Sequence, residues 1–378
     1  MLNEARYEYI IGILTDLINI NTTKSANNET EAARYLQEKC QIMGMECELY
    51  EPFRGKGSLV ATINGRKQDS IALYCHLDTD DCIDIDSWQF SPLEATSICD
   101  CIFGRGAIDC KGLAAVWMGV LDRIIQEEIV PQKTIKFFAV CDEESGGEKG
   151  LRWLIDNTNH FENINLVLSE GGGFPVQSDE KTYFTVQTGE RERITIKKSY
   201  NKKNILENLN QVAIEEGIEA KAFNLDTKDY LTHVKSENNL KKKRKIDTEN
   251  FYNFMFDYHE DNIFIYKMPF TGMKDIVKEE YIIEHMQTGP VKDLSCYLDI
   301  IQKKLLKIDD GYRILPFVTP GFSDNRYFRL QGIDTIGFFP LDINNHVSGV
   351  HGINEYITKE SIELSVEILY HLIKSIAF

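Results

Sequence analysis

Three short apolar segments, each followed closely by acidic or histidine side chains, constrain the fold of this chain most strongly. The segments are SIALYC at 70–75, TIKFFAV at 134–140 and NLVLS at 165–169. Their length and their β-branched and aromatic residues are typical of buried strands. His76 follows the first segment, Glu143 and Glu144 follow the second, and Glu170 follows the third. The chain therefore places residues suited to metal binding and proton transfer at the ends of predicted strands.

Helical patterns separate these predicted strands. Residues 113–118 and 151–155 have helical character, and 7–20, 29–44 and 359–378 have the apolar spacing of amphipathic helices. Strands that alternate with helices predict an α/β fold with a mixed, mostly parallel sheet and flanking helices. Ligands bind beyond the carboxyl ends of the strands in such sheets. We therefore expect the side chains that follow the three strands to meet at one edge of the sheet.

A second domain is predicted between residues 191 and 312. The pattern changes there to a β-α-β-β-α-β order, with strands at 191–198, 218–224, 262–267 and 312–318 and helices at 204–216 and 291–306. This order predicts a ferredoxin-like α+β domain inserted into the larger one. The larger domain is then discontinuous and comprises 1–190 and 313–378. The lysine-rich run at 240–245 is interpreted as a solvated loop.

Charge and cysteine usage exclude some partners and indicate a compartment. The formal net charge of −17 argues against nucleic acid or an anionic membrane surface as the main partner. The N-terminus has no basic segment leading into an apolar core, and the apolar stretch at 9–14 is too short to span a bilayer. Nine cysteines without a disulfide-like spacing favour a reducing compartment. We therefore expect a cytoplasmic protein with no membrane partner.

Two histidines and three carboxylates have the composition of a two-metal site. They are His76, Asp109, Glu144, Glu170 and His351. All are expected at strand or loop ends, and Asp109 lies in a glycine-punctuated loop. Two divalent cations need one bridging carboxylate and a few terminal ligands, and such a pair activates water. Each residue by itself is more often structural, whereas the joint pattern points to a metal-dependent hydrolase.

Glu143 and Asp78 are the candidate residues for proton handling beside the metals. Neighbouring side chains at a strand end diverge, so Glu144 can bind metal while Glu143 faces the water as a general base. Asp78 can accept the second N–H of the His76 imidazole and fix its tautomer. The alternatives are an acidic turn before 145–147 and an ordinary loop-capping aspartate.

An ordered set of motifs resembles the M20 metallopeptidase family of aminoacylases, carboxypeptidases and succinyl-diaminopimelate desuccinylases. The motifs are CHLDTD at 75–80, GRGAIDCKG at 104–112, DEESGG at 142–147, EGG at 170–172, GFSDNR at 321–326 and HGINE at 351–355. They cover the predicted metal-binding domain from end to end and are highly specific as an ordered set. The resemblance implies a zinc-peptidase-like catalytic domain with an inserted lid or dimerisation domain.

The resemblance also implies roles for individual residues. One metal would be held by His76 and Glu170 and the other by Glu144 and His351, with Asp109 as the bridge. Glu143 would be the general acid/base, and Asp78 would orient His76. A cis peptide bond after Asp109 and a homodimer formed through the inserted domain are also implied. Zinc is the expected metal, with manganese or cobalt as alternatives, because carboxylate-rich two-metal sites accept several ions.

The chain departs from the family pattern on the substrate side. The family's inserted domain carries a histidine after its first strand that polarises the scissile carbonyl, whereas residues 197–203 (KKSYNKK) contain none. A hydrogen-bond donor of this kind, placed at the oxyanion, lowers the activation free energy by roughly 3–4 kcal/mol. Cys75 occupies a position where the family has glycine. Cys110 occupies a position where the family usually has methionine or an acidic residue. Three histidines lie elsewhere in the predicted insert, in contexts that favour none of them as a substitute: His233, His259 and His285.

The sequence therefore predicts a two-metal hydrolase that cleaves an amide bond in a small peptide or an N-acyl amino acid. Ser323 and Arg326 are candidates for binding a substrate carboxylate, because arginine pairs with carboxylates through two hydrogen bonds. Two other interpretations stay open: a non-peptidase reaction of specialised amino-acid metabolism with a remodelled lid, and a non-catalytic binding paralogue. The intact Glu143 argues against the binding paralogue, and the missing histidine keeps the other reaction open.

Overall fold

The computed structural model describes residues 4–178, 180–197, 220–222, 254–259, 262–267, 282–319 and 321–378. The chain forms two compact units. The first comprises Met1–Val186, Leu294–Ile314 and Ile333–Phe378, and the second comprises Gln187–Asp293 and Leu315–Gly332. Every residue predicted to bind metal belongs to the first unit.

The described helices and strands have the following bounds. The helices are α1 Glu4–Asn19, α2 Glu29–Ile42, α3 Lys111–Gln126, α4 Leu151–Asn157, α5 Ser295–Ile308, α6 Asn325–Leu330 and α7 Lys359–Ala377. The strands are β1 Glu46–Phe53, β2 Lys56–Ile63, β3 Lys67–His76, β4 Thr96–Ile98, β5 Cys101–Phe103, β6 Lys133–Val140, β7 Ile164–Ser169, β8 Pro175–Ser178, β9 Lys181–Glu190, β10 Glu192–Lys197, β11 Ala220–Ala222, β12 Phe254–His259, β13 Asn262–Lys267, β14 Ile282–Met286, β15 Tyr312–Thr319, β16 Asp334–Gly337 and β17 Tyr356–Thr358. Among the described helices, none is both long and apolar enough to cross a membrane.

The main sheet has the strand order β1-β2-β6-β3-β7-β16-β9-β15, with β8 paired to β9. Strand β3 runs parallel to β6 and β7, and β16 runs parallel to β7. Strands β1 and β2 add antiparallel pairs at one edge. The predicted mixed, mostly parallel sheet is therefore confirmed. His76 pairs with Val140 in register, so β3 and β6 end together and the residues that follow them start from one edge.

Helix α3 packs against the sheet and fixes β3. Residues 113–121 of α3 are buried, and Trp117 Nε1 donates a 3.0 Å hydrogen bond to the main-chain oxygen of Tyr74. Helices α1 and α3 approach closely at Gly119, where a Cβ would lie 2.4 Å from Ile10 Cδ1 of helix α1. Close-packed interiors resist displacement. The packing of α3 against β3 therefore fixes the positions of the loops at the ends of these two elements.

Strand β9 is the main element that the sequence pattern does not predict. Its residues 184–190 are buried, yet they include Thr185, Gln187, Thr188 and Glu190. These polar residues interrupt the apolar run by which a buried strand is identified.

The described strands of the second unit form a sheet of order β11-β12-β13-β10-β14. Strand β10 is antiparallel to β13 and β14, and β11 is parallel to β12. The predicted helix 204–216 and the basic run 240–245 lie outside the described residues, so the ferredoxin-like order stays a prediction. Helix α5, placed in the insert by the sequence pattern, is part of the first unit, where it packs against α7.

Candidate metal centre

Loops at the carboxyl ends of the parallel strands and before helix α3 carry the predicted metal ligands. His76 ends β3, Asp109 lies just before α3, Glu143 and Glu144 lie in a one-turn helix after β6, Glu170 follows β7, and His351 follows the helical turn Val347–Gly349. Strands that end together deliver the residues after them to a common edge. The fold therefore brings side chains that are far apart in sequence into one site.

Asp109 lies between two imidazoles. Its Oδ1 is 2.9 Å from His76 Nε2, and its Oδ2 is 3.0 Å from His351 Nε2. His351 Nε2 is also 3.2 Å from Glu144 Oε1. The peptide bond between Asp109 and Cys110 is cis, as the resemblance implies. A carboxylate whose two oxygens face different donor groups has the arrangement of a ligand that bridges two cations.

Three groups of potential metal-binding atoms surround Asp109. Within each group the ligand atoms lie within 4.8 Å of one another. The groups are His76, Asp109, Cys110 and Glu170; His76, Glu143 and Glu144; and Asp80, Glu144 and His351. All five predicted ligands occur in them. Three members are additional to the predicted ligands, and each belongs to a motif that also contains one: Asp80, Cys110 and Glu143.

Asp78 supports the site through two different parts of the residue. Its main-chain oxygen lies 2.9 Å from His76 Nδ1, whereas its carboxylate Oδ1 is 3.6 Å from the same nitrogen. The carboxylate oxygens instead accept the main-chain N–H groups of Glu143 at 3.1 Å and Glu144 at 3.0 Å. The main-chain oxygen of Asp78 thus makes the contact with His76 Nδ1, while the carboxylate satisfies the otherwise open donors of the glutamate turn.

Glu355 is buried beneath the loop that carries Asp109. Its carboxylate accepts the main-chain N–H groups of Gly106 at 2.9 Å, Ile108 at 2.8 Å and Asp109 at 3.0 Å. Arg105 Nη1 donates to the same carboxylate at 3.0 Å. Sequence reasoning assigns no role to Glu355, and its only signal is its place as the last residue of the HGINE motif.

A buried ion network lies behind the glutamate turn. Lys56 Nζ is 2.6 Å from Glu29 Oε1 and 3.4 Å from Asp142 Oδ1, and all three side chains are buried. Asp142 starts the turn with a φ of 72° and accepts the main-chain N–H of Lys149 at 2.9 Å. Removing charges from water costs several kcal/mol unless they are paired. The network therefore fixes the position of Asp142, which immediately precedes Glu143.

The electrostatics of the site fit divalent cations. Desolvation opposes a charge on both imidazoles, the buried one of His76 and the half-exposed one of His351. Hydrogen bonds with Asp109 and nearby acidic groups nevertheless raise the pKa of His351 to about 12 and raise the pKa of His76 well above 6.5. Although burial acts in the opposite direction, the two imidazoles lower the pKa of Asp109. Burial raises the pKa of Glu144, and the contact with His351 acts in the opposite direction. The carboxylates thus attract positive charge into the site, and nitrogen and oxygen donors of this kind suit zinc and similar ions.

The predicted substrate-binding residues, Ser323 and Arg326, are buried within the second unit. Ser323 Oγ donates a 2.6 Å hydrogen bond to Glu190 Oε1, and Arg326 Nη2 donates a 2.9 Å hydrogen bond to Tyr327 Oη. Arg329 Nη1 also donates to Glu190, at 2.7 Å. Both predicted residues therefore have protein partners, and their role in substrate binding stays a prediction.

The three histidines considered as substitutes for the family's lid histidine differ in what the structure describes. His285 Nε2 is 2.9 Å from Glu192 Oε2 in the second unit. His259 is the last residue of β12, and His233 lies outside the described residues. Of the three, only His285 has a described side-chain contact, and that contact does not assign it to the missing role.

Comparison with protein families and curated proteins gives matches along most of the chain. The model of peptidase family M20/M25/M40 matches residues 72–375. The chain is 27% identical over 163 residues to a probable succinyl-diaminopimelate desuccinylase of Staphylococcus aureus, covering 43% of this chain and 40% of that protein. It is 27% identical over 182 residues to a metallohydrolase of Methanococcus maripaludis, covering 44% of each. The chain thus spans about two fifths of the length of these curated relatives.

Solved structures share the fold at low sequence identity. An M20 family metallo-carboxypeptidase from Sulfolobus solfataricus aligns with a TM-score of 0.64 and 16% identity over 99% of both chains. The dipeptidase Dug1p from Saccharomyces cerevisiae aligns with a TM-score of 0.66 and 14% identity over 98% of this chain and 97% of that one. A dinuclear metal-binding peptidase from Bacillus subtilis aligns with a TM-score of 0.57 and 13% identity over 99% of both chains. At these identities the likeness is one of fold.

Proposed function

The chain belongs to peptidase family M20/M25/M40, and on that premise we propose that it is a metal-dependent hydrolase of an amide bond in a small peptide or an N-acyl amino acid. The observation that carries the proposal is the position of Asp109 between His76 and His351, with Oδ–Nε2 distances of 2.9 and 3.0 Å. A structural aspartate would need one imidazole partner, whereas a bridging ligand needs a donor group on each side. The names of the relatives, a desuccinylase, a carboxypeptidase and a dipeptidase, support this substrate class.

Two divalent cations are part of the proposal. His76, Asp109 and Glu170 would hold one, and Asp109, Glu144 and His351 would hold the other. When bound, such a pair polarises a carbonyl group and lowers the pKa of water. We propose zinc as the resident metal, with manganese or cobalt as ions that the carboxylate-rich donor set also accepts.

Glu143 is the proposed general acid/base. Its Oε2 lies 3.9 Å from His76 Nε2, and its main-chain N–H is held by Asp78, so the carboxylate is positioned beside the metal-binding atoms without being required as a ligand. A carboxylate placed there can take a proton from the attacking water and give it to the leaving amine. Asp78 contributes by fixing both His76 and the turn that carries Glu143.

The substrate side and the assembly complete the proposal. Ser323 and Arg326 would recognise a substrate carboxylate, for which the planar guanidinium of arginine is suited. Residues 191–312 would form the lid and dimerisation domain of a cytoplasmic homodimer, inserted into a catalytic domain comprising 1–190 and 313–378. The net charge of −17 supports a small-molecule substrate rather than nucleic acid.

The test is amine release from N-succinyl, N-acetyl and dipeptide substrates by zinc-loaded wild type and by Glu143→Gln. We expect turnover by the wild type and a loss of roughly 10²- to 10⁴-fold in the variant, because proton transfer by a positioned group contributes that much. Glu148→Gln is the matched control, since Glu148 is exposed in the segment after the same turn. Equal turnover by Glu143→Gln and the wild type would contradict the proposal.

A further inference from the structure

Cys110 lies among the atoms of the candidate metal centre. Its Sγ and one ligand atom each from His76, Asp109 and Glu170 all lie within 4.8 Å of one another. The side chain of Cys110 is fully buried. A tetrahedral zinc site has four donors at about 2.0–2.3 Å from the ion, which places the donors about 3.3–3.8 Å apart and so within this limit. The four atoms therefore have the number and the chemistry of one complete zinc coordination sphere, and they lie close enough together to share one ion.

The Cys110 sulfur differs from the other fully buried cysteine sulfurs in its partners. Cys75 Sγ donates to the main-chain oxygen of Phe138, at 3.8 Å. Cys141 Sγ accepts from Ser58 Oγ, at 3.3 Å, and Cys40 Sγ lies 3.7 Å from a methionine sulfur. For Cys110 Sγ, no hydrogen bond to any described residue is made, and its polar neighbours are the metal-binding atoms. A buried sulfur in that position lacks the contacts that explain a purely structural cysteine.

We propose that the Cys110 thiolate is a ligand of the cation held by His76, Asp109 and Glu170. This inference rests on the proposed function, because it concerns the same metal centre. On binding, the S–H bond is lost, the sulfur donates its electron pair to the cation and the proton is released to solvent. The coordination of this cation by protein is then complete with four donors.

A thiolate ligand on one cation gives the two cation positions different numbers of protein ligands. The other cation would have three protein ligands, namely Asp109, Glu144 and His351. The nearby Asp80 carboxylate is already paired with Lys24, which leaves a coordination position open. Zinc sites closed by four protein ligands are structural, whereas catalytic zinc sites keep a position for water or substrate. The inference therefore assigns substrate activation to the position of Glu144 and His351. It also makes the Cys110 position prefer zinc over manganese, because thiolates are soft ligands.

X-ray absorption spectroscopy at the zinc edge tests the inference directly. We expect zinc-loaded wild type, at about two ions per chain, to show a sulfur neighbour at about 2.3 Å with an average of about half a sulfur per zinc. Cys110→Ser should lose the sulfur shell and bind one of its two ions at least about tenfold more weakly. Cys75→Ser is the matched control, since Cys75 is equally buried beside His76 and should keep the shell.

The outcomes separate this inference from the proposed function. Two zinc ions without a sulfur neighbour, or a sulfur shell that persists in Cys110→Ser, would overturn the inference and leave the proposed hydrolase intact. A chain that binds no zinc would overturn the metal centre itself, and with it both proposals. If Cys110→Ser does not fold, the absorption spectrum of the cobalt-loaded wild type still tests the inference. A thiolate ligand gives a near-ultraviolet charge-transfer band, and the absence of that band would overturn the inference.

Discussion

The main-chain N–H of Asp109 donates a 3.0 Å hydrogen bond to Oε1 of Glu355, a residue 246 positions later in the chain. The same carboxylate accepts two further main-chain donors of the 104–109 loop and the guanidinium of Arg105. Backbone groups that are buried need such partners, because an unsatisfied one costs as much as a lost hydrogen bond. The loop that presents Asp109 to both imidazoles is therefore shaped by the C-terminal part of the chain.

We expect Glu355→Gln to destabilise the protein by about 3–5 kcal/mol, because it leaves the Arg105 charge buried without its partner. The amide has a single oxygen acceptor, so it cannot replace the carboxylate toward all four donors. The free energy of unfolding in urea measures the effect. Glu360→Gln, at an exposed position of helix α7, is the control and should cost less than about 1 kcal/mol. A cost below about 1 kcal/mol for Glu355→Gln would contradict the structural role assigned to Glu355.

Lys56→Met should destabilise the protein by about 3–5 kcal/mol, because it leaves Glu29 and Asp142 buried without a counter-charge. Adding Glu29→Gln to the same chain should recover part of the loss. The comparison is Arg152→Ala, which removes a 2.7 Å pair with Asp156 whose side chains are about half exposed. That variant should cost less than about 1 kcal/mol. Similar costs for Lys56→Met and Arg152→Ala would show that burial does not set the strength of the network.

Metal binding near neutral pH should release protons. In the metal-free chain the pKa of His351 is raised from 6.5 to about 12 and that of His76 is also raised, so both imidazoles carry protons that a bound cation displaces. The sign for stability follows from the same shifts. The folded metal-free chain holds these protons more tightly than the unfolded chain, so its free energy of unfolding falls as the pH rises above about 6.5.

Isothermal titration of zinc into the metal-free protein, in buffers with different ionisation enthalpies, measures the released protons. The apparent enthalpy should change with the buffer, and the dependence should weaken in His351→Ala. An apparent enthalpy that is the same in every buffer would contradict the protonated state of the two imidazoles.

Arg326→Lys should raise the KM for substrates with a free carboxylate by about tenfold and leave kcat nearly unchanged. Hydrogen bonds to charged groups contribute about 1.5–3 kcal/mol, and lysine keeps the charge but loses the bidentate geometry. Binding lost equally from the ground and transition states appears in KM. Matched substrates in which the carboxylate is an amide provide the control, because they should not distinguish the variant from the wild type. An equal effect on both substrate types would contradict the role of Arg326.

The predicted site follows from local patterns where the residue lies at a strand end. His76 and Glu170 come directly after buried apolar runs, and the Glu143–Glu144 pair follows another, so the parallel sheet makes their convergence predictable. Asp109 and His351 lie in loops without such a pattern. The resemblance to the family, rather than periodicity, implies that Asp109 bridges the two metals and that His351 binds one of them.

Other parts of the site depend on contacts between distant positions that no local pattern encodes. Glu355 and Lys56 are the main examples, since their partners are fixed only when the loops around them have formed. The sequence predicts that Asp78 accepts the second N–H of His76, but it cannot distinguish a side-chain acceptor from the main-chain carbonyl of the same residue. The sequence pattern does not predict strand β9, because its polar residues are buried, which reverses the usual relation between polarity and exposure.

The metal content of the protein purified without chelator tests the central claim most directly. Inductively coupled plasma mass spectrometry, with the protein concentration from amino-acid analysis, gives the number of ions per chain. We expect about two divalent ions per chain, and fewer in Asp109→Asn, since one carboxylate would serve both cations. A chain that holds no metal after purification, and takes up none when zinc or manganese is added, would contradict the two-metal centre and the hydrolase built on it.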